Sequence, residues 1–299
     1  MPIEKGYKMV KTVQCEICSN TETTLIQNTH ISLGSAEIDL VRCNQCGLVY
    51  LNPQPTEDEI KQLYSDDYFI QWYSTEKKRE FSKQFFRNLL IKNKLLLNAG
   101  CNILDIGCGM GFFLEVVKDL GYDVKGVDIS PYAARYCRDK FNFDIHCGTL
   151  ETANYQSNYF DIITGLDFLE HINGYSRFFI ELKRVLKPDG MFIVIVPNYD
   201  SLVFQLDRII CKLKKSPLPN VPEHITYFTF STLRNLFQIN GFKVDKVIST
   251  KANDEGEYLH MKGSPTAVLR SLLNKFCYLL GNVSNRKEAI LAVGKKVNS

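Results

Sequence analysis

The chain has 299 residues, 45% hydrophobic and 23% charged, with a net charge of +3. That composition excludes disorder over most of its length, because the apolar surface is ample to offset the entropy of ordering. The weak net charge neither points to nucleic acid nor excludes it. The longest clean apolar run, Met191 to Val196, is strand length and far too short to span a bilayer. Glu4, Lys5 and Lys8 stand where a signal peptide needs its apolar stretch, so the chain reads as cytoplasmic.

Of ten cysteines, four form two tight pairs, Cys15/Cys18 and Cys43/Cys46. Cys101, Cys108, Cys137, Cys147, Cys211 and Cys277 are scattered, as plain buried thiols are. In a reducing compartment such pairs favour a metal over a disulfide. Four thiolates match the tetrahedral preference of zinc and leave no open coordination position, so the metal expected here is structural. The spacing between the pairs slightly exceeds the usual ribbon spacing, which permits a short hairpin insertion. Gly47 suits the left-handed turn after the second pair. His30, between the pairs, reads as an ordinary loop residue. Residues 10–52 therefore form a zinc-binding, ribbon-like module.

Residues 53–98 read as linker and helix. Asn52-Pro53-Gln54-Pro55 breaks the chain, Thr56 is a good N-cap, and Glu57, Asp58 and Glu59 favour the positive end of a helix. Ser74 to Leu97 reads as one long helix. From residue 99 to 299 short apolar strands alternate with helices. The strands expected are Ile103–Ile106, Val124–Ile129, Phe143–Cys147, Phe160–Leu166, Met191–Val196, Phe242–Ile248 and Ala289–Val293. The helices expected between them are Phe112–Leu120, Pro131–Phe141, Gly174–Leu186, Asp200–Lys215, Thr232–Ile239 and one from Ser264-Pro265 that stops at Gly281. Repeated units of this kind predict an α/β domain with a parallel sheet covered on both faces. An acceptor-side insertion, 198–230, interrupts the alternation.

The most informative segment is Ile103-Leu-Asp-Ile-Gly-Cys-Gly-Met-Gly-Phe112. A strand runs through Gly107, Gly109 and Gly111 into a helix, so backbone passes close under a ligand at a helix start. Phe112 replaces the last glycine of a dinucleotide loop, and no Gly-Lys-Ser/Thr follows, so the ligand lacks a pyrophosphate. Asp128, one strand later, is placed to accept both hydroxyls of a ribose. Together these features describe a site for a nucleoside that carries an amino-acid tail.

With LDIGCGMGFF, GVDIS, FDIITGLDFLEHI and LKPDG before MFIVIVPN in order, the chain resembles the class I S-adenosylmethionine-dependent methyltransferases over roughly residues 90 to 296. The resemblance implies a Rossmann-like seven-stranded sheet with the last strand antiparallel. It also implies that Asp105, Gly107, Gly109 and Gly111 line the methionine moiety and that Asp128 holds the ribose. Ile129 would pack on adenine, Thr149 and Leu150 would edge the adenine pocket, and Asp167 would lie beside the methionine end.

Two histidines fall at the carboxyl ends of the strands, where open α/β sheets bind ligands. They are His171, after the fourth core strand, and His224 in Glu223-His224-Ile-Thr-Tyr227-Phe228. Either imidazole can take a proton from a hydroxyl, alone or as a pair. His146 and His260 read as structural or surface residues. The cysteine module, proline linker, core and EHxxYF segment together resemble bacterial methyltransferases of sugar-nucleotide and polysaccharide pathways. That resemblance places Glu223, His224 and Tyr227 in an acceptor site with His224 as base. This sequence has no counterpart of the further C-terminal domain of the deoxysugar C-methyltransferases, so O-methylation of a sugar nucleotide or another small hydroxylated acceptor stands beside C-methylation. The competing readings are a zinc-ribbon RNA methyltransferase and a binding module that kept the fold. Against RNA, the module's charges are mixed and Leu166-Asp167-Phe168-Leu169 stands where a base-clamping tetrapeptide would. The apolar stripe Leu202, Leu206, Ile209 and Leu213 reads as a lid over the acceptor, with a membrane-surface helix as the lesser reading.

Overall fold

The computed structural model describes residues 13–33, 36–73, 75–95, 100–216, 218, 221–252 and 265–297. Lys5, Lys8 and Lys11, the module's start at residue 10, the helix limits Ser74 and Leu97, His260 and Ser264 lie outside the described residues. At the N-terminal end, β1 (Thr23–Leu33) and β2 (Ala36–Cys43) form an antiparallel hairpin, and β3 (Val49–Asn52) pairs with β2. This is the hairpin insertion expected between the cysteine pairs.

The linker region divides where its caps dictate. Thr56 and Glu59 form a reciprocal capping box on α1 (Glu57–Leu63). A second short helix, α2, covers Asp66–Tyr73. The expected long helix starts later, as α3 (Glu76–Asn93), because the Thr75 side chain accepts from Lys78 N at 3.2 Å. It ends at Lys94, which turns left-handed.

The core then runs β4 (Asn102–Ile106), α4 (Phe112–Asp119), β5 (Asp123–Asp128), α5 (Pro131–Phe141), β6 (Asp144–Cys147), β7 (Phe160–Leu166), α6 (Tyr175–Val185) and β8 (Leu186–Pro197). It continues with α7 (Leu202–Lys214), β9 (Thr226–Tyr227), α8 (Phe230–Ile239), β10 (Phe242–Thr250), α9 (Pro265–Ser284) and β11 (Ala289–Lys296). Seven strands pair in the order β10-β11-β8-β7-β4-β5-β6. All are parallel except β11, which is antiparallel to both β8 and β10. This is the sheet the resemblance implies. β9 does not join it; it pairs with β3, so the cysteine module's sheet is β1-β2-β3-β9.

Both faces of the sheet's centre are buried, so β4, β7, β8 and β11 are largely apolar, while β6 and β10 at the edges are half-exposed. Leu104 and Ile106 pack on one face with Val127 and Phe192. Ile103 packs on the other with Phe113, Ile162 and Ile193. Helix α9 runs past its expected stop. Gly281 lies inside it, and a Cβ there would come within 2.7 Å of the Arg286 carbonyl oxygen. That glycine serves the returning chain rather than a helix end.

Phe192 is fully buried, stacked on Phe237 with ring centroids 5.4 Å apart, and it also meets Phe178, Phe179 and Phe242. Phe192→Ala is expected to cost about 3–5 kcal/mol, since the rings around it cannot close the space. Urea unfolding measures this, and a loss below about 1 kcal/mol would mean that the cluster repacks.

Candidate functional site

The chain leaves β4 for β5 and β6 on one side, then crosses back to β7 on the other. The carboxyl ends of β4 and β7 therefore part, and a ligand crevice opens between them. A cavity of about 1000 Å³ lies there.

One half of the cavity is built from the glycine turn. Gly107 has φ 70°, and a Cβ on it would sit 2.9 Å from the Phe168 ring, so only glycine fits. Gly107 and Gly109 line the cavity. Gly111 does not line it, contrary to expectation. It is the left-handed N-cap of α4, and a Cβ on it would meet Cys137 Sγ at 2.8 Å. Its role is to let α4 pack on α5.

Beneath the turn lie two buried carboxyls. Thr164 Oγ1 donates to Asp105 at 2.6 Å, yet burial pushes the Asp105 carboxyl up to about 7. Asp128 accepts from Gly109 N and Ser130 N, each at 2.8 Å. Burial still outweighs those bonds and raises it to about 6. Each Asp128 oxygen keeps a lone pair for a ligand hydroxyl. Ile129, Thr149, Leu150 and Asp167 also line this half, so eight of the nine residues expected around a nucleoside are brought together.

The other half holds the acid–imidazole cluster. Glu170 is buried, and neither carboxylate oxygen has a hydrogen-bond partner. Burial first, then the charge of Asp167, pushes its pKa well up. His171 Nδ1 lies 2.8 Å from the Glu223 carbonyl oxygen, which can only accept. In the neutral ring Nδ1 therefore carries the proton, and Nε2 keeps its lone pair 3.7 Å from Glu170. The His224 ring meets the His171 ring edge-on, with centroids 4.7 Å apart. Burial lowers His171 to about 4, and burial plus the neighbouring His171 lowers His224 well below its ordinary value. Both imidazoles are thus neutral at pH 7. It is the backbone carbonyl of Glu223, not its carboxylate, that is shown reaching an imidazole.

His171, His224 and Glu223 line the cavity. Tyr227 does not. It is buried in β9 behind His224, 6.4 Å ring to ring, because pairing with Val49 turns it away. The expected lid, α7, contributes no described residue to the cavity. Its Cys211 packs instead with Ile38 and Leu40 of β2, while Ile209 and Leu213 of the expected stripe are exposed. The cavity is roofed by Tyr64, Tyr68 and Phe69, around the α1–α2 turn. Tyr64 sits edge-on to His171 at 5.9 Å. No local pattern in the sequence marks these residues: Tyr64 ends α1, Tyr68 and Phe69 belong to α2, and the turn between the two helices brings the three together.

In the N-terminal module Cys15 and Cys46 sulfurs lie 3.4 Å apart and Cys18 and Cys43 sulfurs 3.5 Å apart. All four fall within 4.8 Å of one another. A tetrahedral ion with sulfur bonds of about 2.3 Å sets its ligands about 3.8 Å apart, so the four thiols fit one ion. Burial raises the Cys43 thiol, but backbone N–H groups of Cys46 and Gln45 outweigh it and hold it near 6.

With this geometry in place, comparison with known proteins is direct. The profile of the methyltransferase domain family matches residues 75–247, more than half of the chain, and the chain belongs to that family. A probable S-adenosylmethionine-dependent methyltransferase of Mycolicibacterium smegmatis is 26% identical over 151 residues, covering 50% of this chain and 55% of that protein. A ubiquinone biosynthesis O-methyltransferase of Bradyrhizobium diazoefficiens is 33% identical over 129 residues, covering 42% and 49%. The chain thus spans about half the length of these relatives. The crystal structure of a SAM-dependent methyltransferase from Archaeoglobus fulgidus superposes with a TM-score of 0.52 at 22% identity, over 77% of this chain and 98% of that one. It shares the fold.

The neutral His171 has a consequence for stability. An unfolded imidazole takes a proton near pH 6.5, whereas folded His171 stays neutral down to about 4. As pH falls, the unfolded state binds protons first, and stability is lost between about 6.5 and 4. His171→Gln removes that loss. Relative to wild type, the variant should gain about 2 kcal/mol between pH 7.5 and pH 5. Urea titrations at both pH values check this, and a difference that does not move with pH rejects a neutral His171.

Proposed function

We propose that the chain transfers a methyl group from S-adenosylmethionine to a small-molecule acceptor, most simply at a hydroxyl oxygen. One observation carries this reading: a nucleoside cradle and a neutral imidazole pair open into the same cavity. The cradle accepts a diol at Asp128 and passes backbone under the ligand at Gly107 and Gly109. Asp167, with φ 54°, lines the junction of the two halves, where an ammonium group would sit. The bound cofactor would supply an electrophilic methyl on a cationic sulfur.

The residues of the chain do the rest. The aromatic roof of Tyr64 and Tyr68 excludes water and presses an acceptor against the imidazoles. His224, alone or with His171, takes the acceptor's proton as the methyl arrives; a ring kept neutral by burial is in the correct form to do so. Glu223 fixes His171 through its carbonyl, and Tyr227 backs His224. Alignment across one cavity supplies much of the acceleration by itself. The similarity to an O-methyltransferase supports oxygen as the target. A sugar nucleotide or polysaccharide precursor as acceptor rests on the cysteine module and the EHxxYF segment alone. A cytoplasmic location rests on the free thiols; among the described residues no helix is long and apolar enough to cross a membrane.

Asp128→Ala should weaken S-adenosylhomocysteine binding by roughly 10- to 150-fold, the loss of a charge-assisted acceptor for two hydroxyls. His224→Ala should bind it as wild type does, yet lose roughly 10²–10⁴-fold in single-turnover methyl transfer. Calorimetry and labelled-methyl transfer to a panel of phenols and sugar nucleotides read both. Unchanged affinity in the first variant removes Asp128 from the site, and wild-type turnover in the second removes the base.

The four cysteines are proposed to hold one structural zinc ion per chain. Cys43→Ser should lower the metal content and unfold the module while S-adenosylhomocysteine binding survives in part. Elemental analysis of protein purified without chelator checks this, and a zinc-free protein ends the proposal.

A further inference from the structure

Glu16 lies inside the first cysteine knuckle, between Cys15 and Cys18. Its carboxylate does not turn back into the module. Oε2 accepts from Gly174 N at 2.7 Å and Tyr175 N at 2.8 Å, 158 and 159 residues away in sequence. Those two N–H groups are the start of α6. Gly174 is the N-cap there, with φ 77°, and no local side chain caps the helix. A helix start without a cap leaves donors unpaired and a partial positive charge exposed. Glu16 supplies from the module what Ser, Thr or Asp normally supplies locally, and a charged acceptor makes these bonds strong.

The place it holds matters. Gly174 closes the loop from Asp167 to Asn173, which forms the cavity wall and carries Glu170 and His171. The opposite side of the imidazole pair is tied to the same module. β3 pairs with β9 through Tyr50 and Thr226, and Leu51 N donates to the Ile225 carbonyl at 2.9 Å. Ile225 N in turn donates to the Glu170 carbonyl at 2.8 Å. The cysteine module therefore grips both segments that carry a histidine, one through a strand and one through a single carboxylate.

We propose that Glu16 is a positioning residue of the acceptor site, and that through it the folded state of the cysteine knuckle sets the placement of His171 against His224. The proposal rests on the methyl-transfer reading only for what the histidine pair does. The geometric coupling stands apart from it. Around His171 the facing groups are the Glu170 carboxyl, the His224 ring, the Tyr64 ring and the Glu223 carbonyl. Loss of the Glu16 bonds releases the Gly174 end of the loop that carries two members of this set, leaving it held by the Ile225 N bond to the Glu170 carbonyl and the Tyr175 hydroxyl bond to the Leu169 carbonyl, and the loosened loop admits water to the imidazoles.

The test uses the full, metal-loaded chain with carbon-13 labelled histidine. The five histidines are assigned with His171→Gln and His224→Gln, and the ring signals are titrated by NMR. Three substitutions are compared. Glu16→Ala removes both bonds. Glu16→Asp keeps the charge but shortens the reach, and Glu16→Gln keeps the reach and an oxygen acceptor. Zinc content and S-adenosylhomocysteine affinity are measured on the same samples. In Glu16→Ala and Glu16→Asp the His171 titration is expected to rise by about one unit or more toward 6.5, with zinc content and cofactor-product affinity unchanged, and Glu16→Gln should restore the wild-type curve. A lowered melting temperature with unmoved histidine titrations in both Glu16→Ala and Glu16→Asp would make Glu16 a staple and nothing more, and would overturn the proposal. Failure of the wild-type protein to bind S-adenosylhomocysteine would overturn the methyl-transfer reading and leave the histidine comparison standing.

Discussion

Everything at the site follows from the parting of the chain at β4. A largely parallel sheet covered by helices on both faces binds its ligand at the carboxyl edge. At that edge β4 is flanked by β5 on one side and β7 on the other. The segments leaving β4 and β7 must diverge. The first becomes the glycine turn and the second the Asp167–Asn173 loop. The cradle and the acid–imidazole cluster are thus two consequences of one topological step, which is why they share a cavity rather than lying on separate faces.

The cysteine module has a different relation to the core than a ribbon appended by a linker. Its sheet is completed by β9, which belongs to the core's insertion. Its buried residues Cys15, Val41, Cys43, Leu48 and Tyr50 are continuous with the cluster that includes Phe179 and Phe192. A 43-residue segment, 10–52, has little capacity to bury a core of its own. The shared core and the pairing of β3 with β9 solve that problem, and β9 follows closely on His224. This also explains the fate of α7. With Cys211 in the same cluster as Ile38 and Leu40 of β2, and with α9 packed along it, that helix lies away from the cavity, and the roof falls to α1 and α2.

Legibility in the sequence followed the range of the interactions. The glycine turn, Asp128, the core strands and the four-cysteine spacing are local patterns; the core strands form as read, Gly107, Gly109 and Asp128 meet in one cavity, and the four sulfurs come together. Gly111 was misassigned because φ 73° serves ligand approach and helix packing equally well; only the nearness of Cys137 Sγ decides between them. Tyr227 was misassigned because alternation along a two-residue strand depends on its partner, and that partner, β3, lies far away in sequence. The stripe on α7 is half-buried at Leu202 and Leu206 and exposed at Ile209 and Leu213, since periodicity identifies an apolar face and not what covers it. The carboxylate of Glu16 and the roof of Tyr64 could not be read at all. Each acts only after distant segments have met.

The charge distribution in the cavity has a mechanistic logic of its own. A sulfonium loses its positive charge as the methyl leaves, so an ionised carboxylate beside the methyl would stabilise the reactant more than the transition state. Burial pushes Glu170 toward its neutral acid and keeps both imidazoles uncharged. Glu170 and the two imidazoles are therefore polar without charge, with the charge of Asp167 beside them in the same cavity. Asp128 is held instead by the backbone N–H groups of Gly109 and Ser130, in the half of the cavity built by the glycine turn. Burying Glu170 with neither oxygen paired costs stability that a purely structural residue would not retain. Glu170 lines the cavity with both oxygens unpaired, so as the neutral acid it has a proton to donate and a lone pair to offer a group placed there.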